Sequence, residues 1–410
     1  MKHMAQNGLK ALTSACVLLL LATVAWSQSL TWLGTLPGGG ESEAWGISAD
    51  GAVVVGVSNG RAFRWTASGG MQDLGTLGGD ESVAWGVSAD GSVVVGWARN
   101  AAGWERAFRW QNGVMQNLGT LGGCCSKALG VSADGSVVVG WAVTAAGQTH
   151  AFRWAPWSGM QDLGTLGGDW SWASGVSANG RVVVGWADNA AGQRRAFRWT
   201  ASGGMQDLGT LGGYQSVASG VSADGAVVVG WSYNAAGRGR AFRWTAAGGM
   251  RDLGTLGGGG SGAYAVSADG AVVVGWADNA AGHRRAFRWT ESGGMEDLNL
   301  TYVYVLSCSV TPGSVLIARA VSSDGRYIVG RGYNAATNRG EAFLLDTQAP
   351  FSPNGDVNRD GCVDDIDMLG VLFEFGELVN DFNRCVDVNR DGIIDDADLL
   401  VVLFNFGSGC

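Results

Sequence analysis

The sequence predicts an all-β seven-bladed β-propeller of four-stranded blades, followed by a small α-helical domain. Three observations carry that expectation. The hexapeptide LGTLGG recurs from Leu74 at a spacing of 44 or 45 residues. Each end of the repeat region carries a strand signal without its partner. After the repeats an acidic decapeptide occurs twice, as DVNRDGCVDD from Asp356 and DVNRDGIIDD from Asp387. Self-similarity at a fixed period of this length marks an architecture that repeats one supersecondary unit.

In chain order, residues 1–27 read as a secretory signal peptide. Lys2 and Lys10 supply positive charge, CVLLLLATVAW from Cys16 is a short apolar run, and Ala25-Trp26-Ser27 has the small-x-small form of a cleavage site. The run is shorter than a bilayer-spanning helix needs. The expected location is secreted or extracellular, free or attached at the cell surface, with no membrane contact after cleavage. Of the 410 residues, 69 are Gly and 19 Trp while only 15% are charged, a balance of tightly turned, aromatic-rich β-structure rather than disorder. Residues 356–410 hold thirteen acidic residues against three Arg (3 − 13 = −10), and the whole chain carries −9. The region before them is therefore nearly neutral, which excludes a basic groove for nucleic acid and a polybasic membrane patch.

Residues 28–346 form the repeat region. Each unit runs in the order LGTLGG, GVSADG, VVVGW, AAG, RAFRW, GGMQD. Ala-Asp-Gly supplies the turn of a tight hairpin, AAG and SGG make the next two turns, and VVVGW is apolar on both faces, as a strand buried between stacked sheets must be. Four strands in about 45 residues is the pattern of a propeller blade. The chain enters on an orphan fourth strand, TWLGTL from Thr31, and leaves on an orphan third strand, EAFLL from Glu341. Pairing the two completes a seventh blade and removes both exposed edges. Seven turns of the form Ser-Ala/Ser-Asp/Asn-Gly, at Asp50, Asp90, Asp134, Asn179, Asp224, Asp269 and Asp324, give the same count.

The phrase GTLGG…GVSADGSVVVGWA…HAFRW, with a literal His150-Ala151-Phe152, resembles the HAF-type extracellular repeat family over most of residues 33–346. The resemblance implies an extracellular bacterial protein and names no ligand. Most units here read Arg-Ala-Phe, so the tripeptide's histidine is not expected to be a site.

Residues present in every unit are expected to be scaffold. The Arg of AFRW (Arg64, Arg109, Arg153, Arg198, Arg243, Arg288) recurs with an Asp or Asn in the fourth strand, which suggests ion pairs or hydrogen bonds within each blade. Differences between units fall at two places. After LGTLGG come Asp80-Glu81, Cys124-Cys125, Asp169-Trp170, Tyr214-Gln215 and Gly259-Gly260; after AAG come pairs such as Trp104-Glu105 and His283-Arg284. Propeller geometry puts both places on one face, opposite the invariant turns, where loops are free to carry specificity. Asp80, Glu81, Trp104, Asp169, Trp170 and Tyr214 are the candidate ligand-binding residues, with Trp104, Trp170 and Tyr214 as stacking platforms for a polysaccharide. No nucleophile elbow, zinc-protease helix or phosphate loop occurs, and no catalytic residue is assigned. The expectation is a non-enzymatic binding or scaffold protein. The alternative is a polysaccharide-acting hydrolase or lyase that uses rim carboxylates such as Asp80, Glu81 and Asp169.

Residues 347–355 read as a linker. In residues 356–410, Asp356, Asn358, Asp360, Asp364 and Asp367 fall at positions 1, 3, 5, 9 and 12 of a twelve-residue loop, with Gly361 at the sharp turn and the Cys362 carbonyl at position 7. Asp387, Asn389, Asp391, the Ile393 carbonyl, Asp395 and Asp398 repeat the pattern. Calcium needs six to eight hard oxygens around one point, so the expected cofactor is two calcium ions. A helical apolar pattern follows each loop: Leu369, Leu372 and Phe373, then Leu399, Leu400, Leu403 and Phe404. Two loop-plus-helix units with Asp at position 12 resemble a type I dockerin, a variant of the EF-hand. The resemblance implies attachment to a cohesin-like or cell-surface protein, and polysaccharide-degrading enzymes often carry such a module. Positions 10 and 11 are Asp365-Ile366 and Asp396-Ala397, where cellulosomal dockerins carry a Ser-Thr-like pair. A dockerin-like pseudo-twofold also brings the chain's end beside the first loop, implying a Cys362–Cys410 disulfide, with Cys385 as the competing partner for either. No roles are assigned to Cys124, Cys125, Cys308 and Cys385.

Overall fold

A computed structural model describes residues 30–301, 317–334, 337–347, 355, 357, 363–377, 386–388 and 393–408. Two compact units are present, the β-rich repeat region and a C-terminal helical unit. In the first, 28 strands form seven antiparallel four-stranded sheets, each running in sequence order except the one at the seam.

Blade 2 shows how the repeat builds its sheet. Its strands, Gly78–Val87, Val93–Asn100, Glu105–Gln111 and Val114–Asn117, hydrogen-bond in that order. The turn between the first two satisfies itself: Ser88 Oγ donates to Asp90 Oδ1 at 2.6 Å and accepts from the Val93 N–H at 2.9 Å. Gly91 takes the left-handed conformation the turn requires (φ +72°). Residues 93–98 of the second strand are buried throughout, as its two-sided apolar pattern demands. A Cβ on Gly96 would overlap the Val83 carbonyl, because the first strand bulges beside it between Ala84 and Gly86. The sheets stack on one another. Val95, Ala107 and Leu118 of blade 2 pack against Ala128, Val138 and Phe152 of blade 3, and equivalent clusters fill the other gaps. The Phe of each repeat, from Phe63 to Phe343, is fully buried in all seven blades.

The two orphan strands do pair. Leu30–Trp32 is the outer strand of blade 7, with Leu30 opposite Leu345, Thr31 opposite Leu344 and Trp32 opposite Phe343. A second device closes the ring at the lower face, where the Ser-Ala-Asp-Gly turns lie. The N–H of Ala49 donates to the Ala89 carbonyl, Ala89 to Ala133, Ala133 to Ala178, Ala178 to Ala223, Ala223 to Ala268, Ala268 to Ser323, and Ser323 back to Ala49. Seven hydrogen bonds of 2.9–3.2 Å thus run once around the ring. A short helix α1, Leu298–Thr301, follows blade 6 and buries Leu298.

The invariant arginines act differently from the sequence expectation. In five blades the AFRW arginine reaches the next blade: Arg64 Nε donates to the Gly91 carbonyl, and Arg109, Arg153, Arg198 and Arg243 to those of Gly135, Gly180, Gly225 and Gly270. Arg288 Nη1 instead lies 3.6 Å from Glu296 in the fourth strand of its own blade. The partner of the fourth-strand Asp is instead the residue before Ala-Phe: Arg61 with Asp73 (3.2 Å), His150 with Asp162 (2.8 Å), Arg195 with Asp207 (3.8 Å) and Arg240 with Asp252 (3.7 Å).

The C-terminal unit contains helices α2 (Asp365–Phe373) and α3 (Asp396–Asn405). Each opens on a capping box. Asp364 and Asp395 are the N-caps, and the side chains of Asp367 and Asp398 reach back to the cap backbone N–H. The helix ends are reciprocally tied. Gly376 N–H donates to the Ile394 carbonyl just before α3, and Gly407 N–H donates to the Val363 carbonyl just before α2. Val371 and Val402 are buried, whereas Leu369, Leu372, Phe373, Leu400, Leu403 and Phe404 are exposed.

Candidate functional site

The upper face carries the residues that differ between repeats. Asp80-Glu81 and its counterparts lie within the start of each inner strand, opposite the end of the second strand, rather than in a free link. They meet the hairpin between second and third strands. Gln148 Nε2, after AAG in blade 3, donates to Asp169 of blade 4 at 3.0 Å. The Arg before Ala-Phe donates to the carbonyl of the first variable residue in the following blade: Arg195 to Tyr214 (2.7 Å), Arg240 to Gly259 (2.6 Å) and Arg106 to Cys124.

Trp104, Trp170 and Tyr214 are exposed to 48%, 52% and 57%, as stacking platforms must be. They belong to blades 2, 4 and 5, Trp170 and Tyr214 on the inner strands of neighbouring blades. Tyr214 stacks on Tyr233 with ring centroids 4.5 Å apart. Asp80 and Glu81 both contact Arg99, at 3.4 and 3.0 Å. With Asp169 hydrogen-bonded in another blade, these carboxylates are held in local contacts and do not converge.

Among the second-strand Trp residues, Trp231 and Trp276 are half-buried and the other three belong to the scaffold. Trp97, Trp141 and Trp186 are buried. Lys127 sits 3.9 Å above Trp97, Trp141 stacks on Trp172 at 5.1 Å, Trp172 on Trp186 at 5.7 Å, and Arg194 covers Trp186 at 3.6 Å. This run staples blades 2, 3 and 4 together.

The central channel is a feature the sequence reading missed. A cavity of 260 Å³ is lined by the inner strands of all seven blades. One position, directly before Gly-Val-Ser or its equivalent, reads Trp45, Trp85, Leu129, Ser174, Ser219, Tyr264 and Arg319 around the ring. The Arg319 guanidinium lies 4.2 Å from the Trp45 ring and 4.8 Å from the Tyr264 ring, and donates to Glu43 at 2.8 Å. Trp45 and Trp85 meet edge to face at 6.4 Å. The signal was present: this position changes in almost every unit, next to a tripeptide that hardly changes at all.

Of the expected calcium ligands, Asp364, Asp367, Asp387, Ile393, Asp395 and Asp398 are described. Asp356, Asn358, Asp360, Cys362, Asn389 and Asp391 lie outside the described residues, as do Cys385 and Cys410. Asp367, Asp387 and Asp398 are buried. Asp367 accepts from the Val357 N–H at 2.6 Å and the Asp364 N–H at 2.9 Å. Among the described residues no three His, Cys, Asp or Glu side chains converge on one point. No described helix is long and apolar enough to cross a membrane.

No family model matches the chain, and no curated protein matches it. Among solved structures, a chain described as a TolB from Agrobacterium tumefaciens is 19% identical with a TM-score of 0.43, covering 52% of this chain and 80% of that one. TolB from Acinetobacter baumannii is 13% identical with a TM-score of 0.43, covering 74% and 82% respectively. At this level of likeness, neither informs function.

Proposed function

We propose that the chain is a secreted binding or scaffold protein whose propeller presents a ligand-binding face and whose C-terminal module binds calcium and attaches it to a partner. The observation that carries the reading is the division between the two faces. The Ser-Ala-Asp-Gly turns of the lower face satisfy themselves and each other, and Trp157, in the third-to-fourth-strand turn of blade 3, is that face's exposed Trp. The upper face holds the variable residues and the exposed aromatics Trp104, Trp170 and Tyr214. A ring that spends its invariant residues on its own closure and its variable ones on an open face is organised for recognition.

The secretion reading rests on the signal-like N-terminus and the HAF-type resemblance, the attachment reading on the dockerin-like one, and two features of the helical unit support the latter. Buried carboxylates stand at the start of both helices, and Asp364, Asp367, Asp387, Asp395 and Asp398 with the Ile393 carbonyl are hard oxygen donors suited to calcium. The cation would screen the repulsion between neighbouring carboxylates. Both helices also expose Leu and Phe side chains, and Phe373 and Phe404 are more than four-fifths exposed. A partner such as a cohesin-like protein would cover them. The Cys362–Cys410 bridge belongs to the same reading, and what supports it is a hydrogen bond from the Val363 N–H to the Ser408 carbonyl at 2.9 Å, one residue after the first cysteine and two before the second.

The test has two arms. Screening the full chain against polysaccharides should reveal retention without turnover, abolished by the joint Trp104→Ala, Trp170→Ala and Tyr214→Ala variant with little change in thermal stability. Release of reducing sugar would move the assignment to an enzyme. Calcium titration should give two bound ions per chain, and no uptake would remove the module's proposed role.

A further inference from the structure

The repeat breaks its own rules at one place, the seam between blades 7 and 1. At the second-strand position paired with the Ala of Ala-Phe, five blades carry Trp (Trp97, Trp141, Trp186, Trp231 and Trp276). The two seam blades carry Val57, opposite Ala62, and Arg331, opposite Ala342. Blade 1 also has the short hairpin. Four residues lie between Val57 and Ala62, whereas nine lie between Trp97 and Ala107. Losing two indoles and half a hairpin opens the upper face there. One cavity of 340 Å³ is lined by Glu41, Glu43, Val57, Asn59 and Arg331, and a second of 330 Å³ by Glu41, Arg331, Tyr333, Asn338 and Arg339. Glu41 and Arg331 line both, so the two form one groove. It leads toward the channel, since Glu43 in the first cavity bonds Arg319 in the channel wall.

The chemistry of the groove limits what fits. Arg331 Nη2 lies 2.6 Å from Glu41 Oε2, Arg319 Nε 2.8 Å from Glu43 Oε1, and Arg339 Nε 3.8 Å from Glu341 Oε1. Of these, Glu41, Glu43, Arg331 and Arg339 line the groove, two of each sign, so the lining charges cancel and favour neither an anion nor a cation. Each pair still has spare hydrogen-bonding capacity, because a guanidinium has five N–H donors and a carboxylate two acceptor oxygens. Tyr333 and Val57 supply an aromatic face and an apolar one, and Asn59 and Asn338 add side-chain amides that both donate and accept. A ligand matching this set is uncharged, rich in both donors and acceptors, and has flat apolar faces. It is also long enough to cross the shared Glu41–Arg331 wall. We infer that the seam groove is the propeller's ligand subsite and takes a neutral oligosaccharide of two or more sugar rings.

This rests on the binding-face reading above and adds a subsite at blades 7 and 1 to the contacts of blades 2, 4 and 5. The cross-blade ion pairs alone would serve closure as well, so the test leaves them intact. Val57→Trp installs the residue that five other blades already carry at this position and fills the first cavity. The full chain is titrated with neutral linear tetrasaccharides (cellotetraose, xylotetraose and maltotetraose) and, for contrast, with tetragalacturonate. At least one neutral tetrasaccharide is expected to bind, and V57W to weaken it by about tenfold or more with the melting temperature kept or raised. Tyr333→Ala, which empties the second cavity wall, gives the same answer if V57W fails to fold. Binding lost in the Trp104, Trp170 and Tyr214 variant but kept in V57W and Y333A would overturn the seam and leave the open face standing. Preference for the acidic tetrasaccharide would overturn the neutral assignment. No binding of any of the four would overturn this inference while leaving non-glycan ligands of the upper face open to the broader screen.

Discussion

Arg195 and Arg198, three residues apart on one strand, do different work. Arg195 lies 3.8 Å from the half-exposed Asp207 in its own blade and its Nη1 donates at 2.7 Å to the Tyr214 carbonyl on the upper face of the next, whereas Arg198 Nε donates at 3.1 Å to the Gly225 carbonyl in the lower-face turn of the next blade. A surface ion pair contributes little, so Asp207→Asn, which removes only the charge facing Arg195, is expected to cost less than about 1 kcal/mol. Arg198→Ala leaves a carbonyl between blades without its charged donor and is expected to cost about 1.5–3 kcal/mol, read as a shift in the chemical-unfolding midpoint. The adjacent thiols of blade 3 offer a second test at this scale. Burial, then the Cys124 thiol, raises the Cys125 pKa to about 11. Its thiolate fraction near neutral pH is therefore about a hundredfold below that of an ordinary cysteine, and alkylation by iodoacetamide should accelerate only as the pH climbs toward that value. Fast labelling of Cys125 at pH 7.5, located by peptide mass, would contradict it.

The element that repeats most faithfully is the Ser-Ala-Asp-Gly hairpin turn, and it explains an expected acid sensitivity. In blade 2 the Ser88 hydroxyl, followed by the Ser92 backbone and side chain, holds the Asp90 pKa down at about 2. Backbone N–H and Ser Oγ donors likewise lower Asp50, Asp134, Asp224 and Asp269. A depressed folded-state pKa stabilises the fold above the ordinary carboxylate pKa, and that stabilisation is lost as the pH falls through the folded value. Melting temperature should therefore decline between about pH 4 and pH 2. Replacing the five aspartates by Asn should flatten that decline. Blade 4 is the internal control, since Asn179 builds the same turn, with Ser177 Oγ donating to its Oδ1 at 2.8 Å. An unchanged acid transition in the five-fold variant would place the sensitivity elsewhere.

For the whole molecule, closure is the central fact. The Leu30–Trp32 strand seals blade 7, and the seven turn-to-turn hydrogen bonds complete the ring beneath it. Deleting residues 1–32 should leave the Arg339–Asp346 strand as an exposed edge, able to pair with another chain. Compared with a chain lacking only residues 1–27, that deletion is expected to elute from size exclusion as dimers and larger species. A monomer of unchanged stability would mean that the seam does not depend on this strand.

The sequence alone determined the number of blades, the order of strands within them and the partners at the seam. Those are properties of a period, and a period survives without coordinates. Reading seven Ser-Ala/Ser-Asp/Asn-Gly turns and two unmatched strands required no knowledge of packing. It also determined the exposure of Trp104, Trp170 and Tyr214, because a residue that breaks a faithful repeat beside a turn has little scaffold work to do. The tertiary structure decided what depends on the neighbouring blade. Arg61 and Arg64 sit three apart on one strand and so point to opposite faces. Only the stacking of the next sheet sends one to Asp73 and the other to Gly91. The variation from Trp45 to Arg319 is visible in the sequence, but its place on the channel wall is not, because the bulge beside it sets which residues of the inner strand turn toward the axis. The groove at Glu41 and Arg331 joins residues 290 positions apart, and only closure of the ring brings them within 2.6 Å.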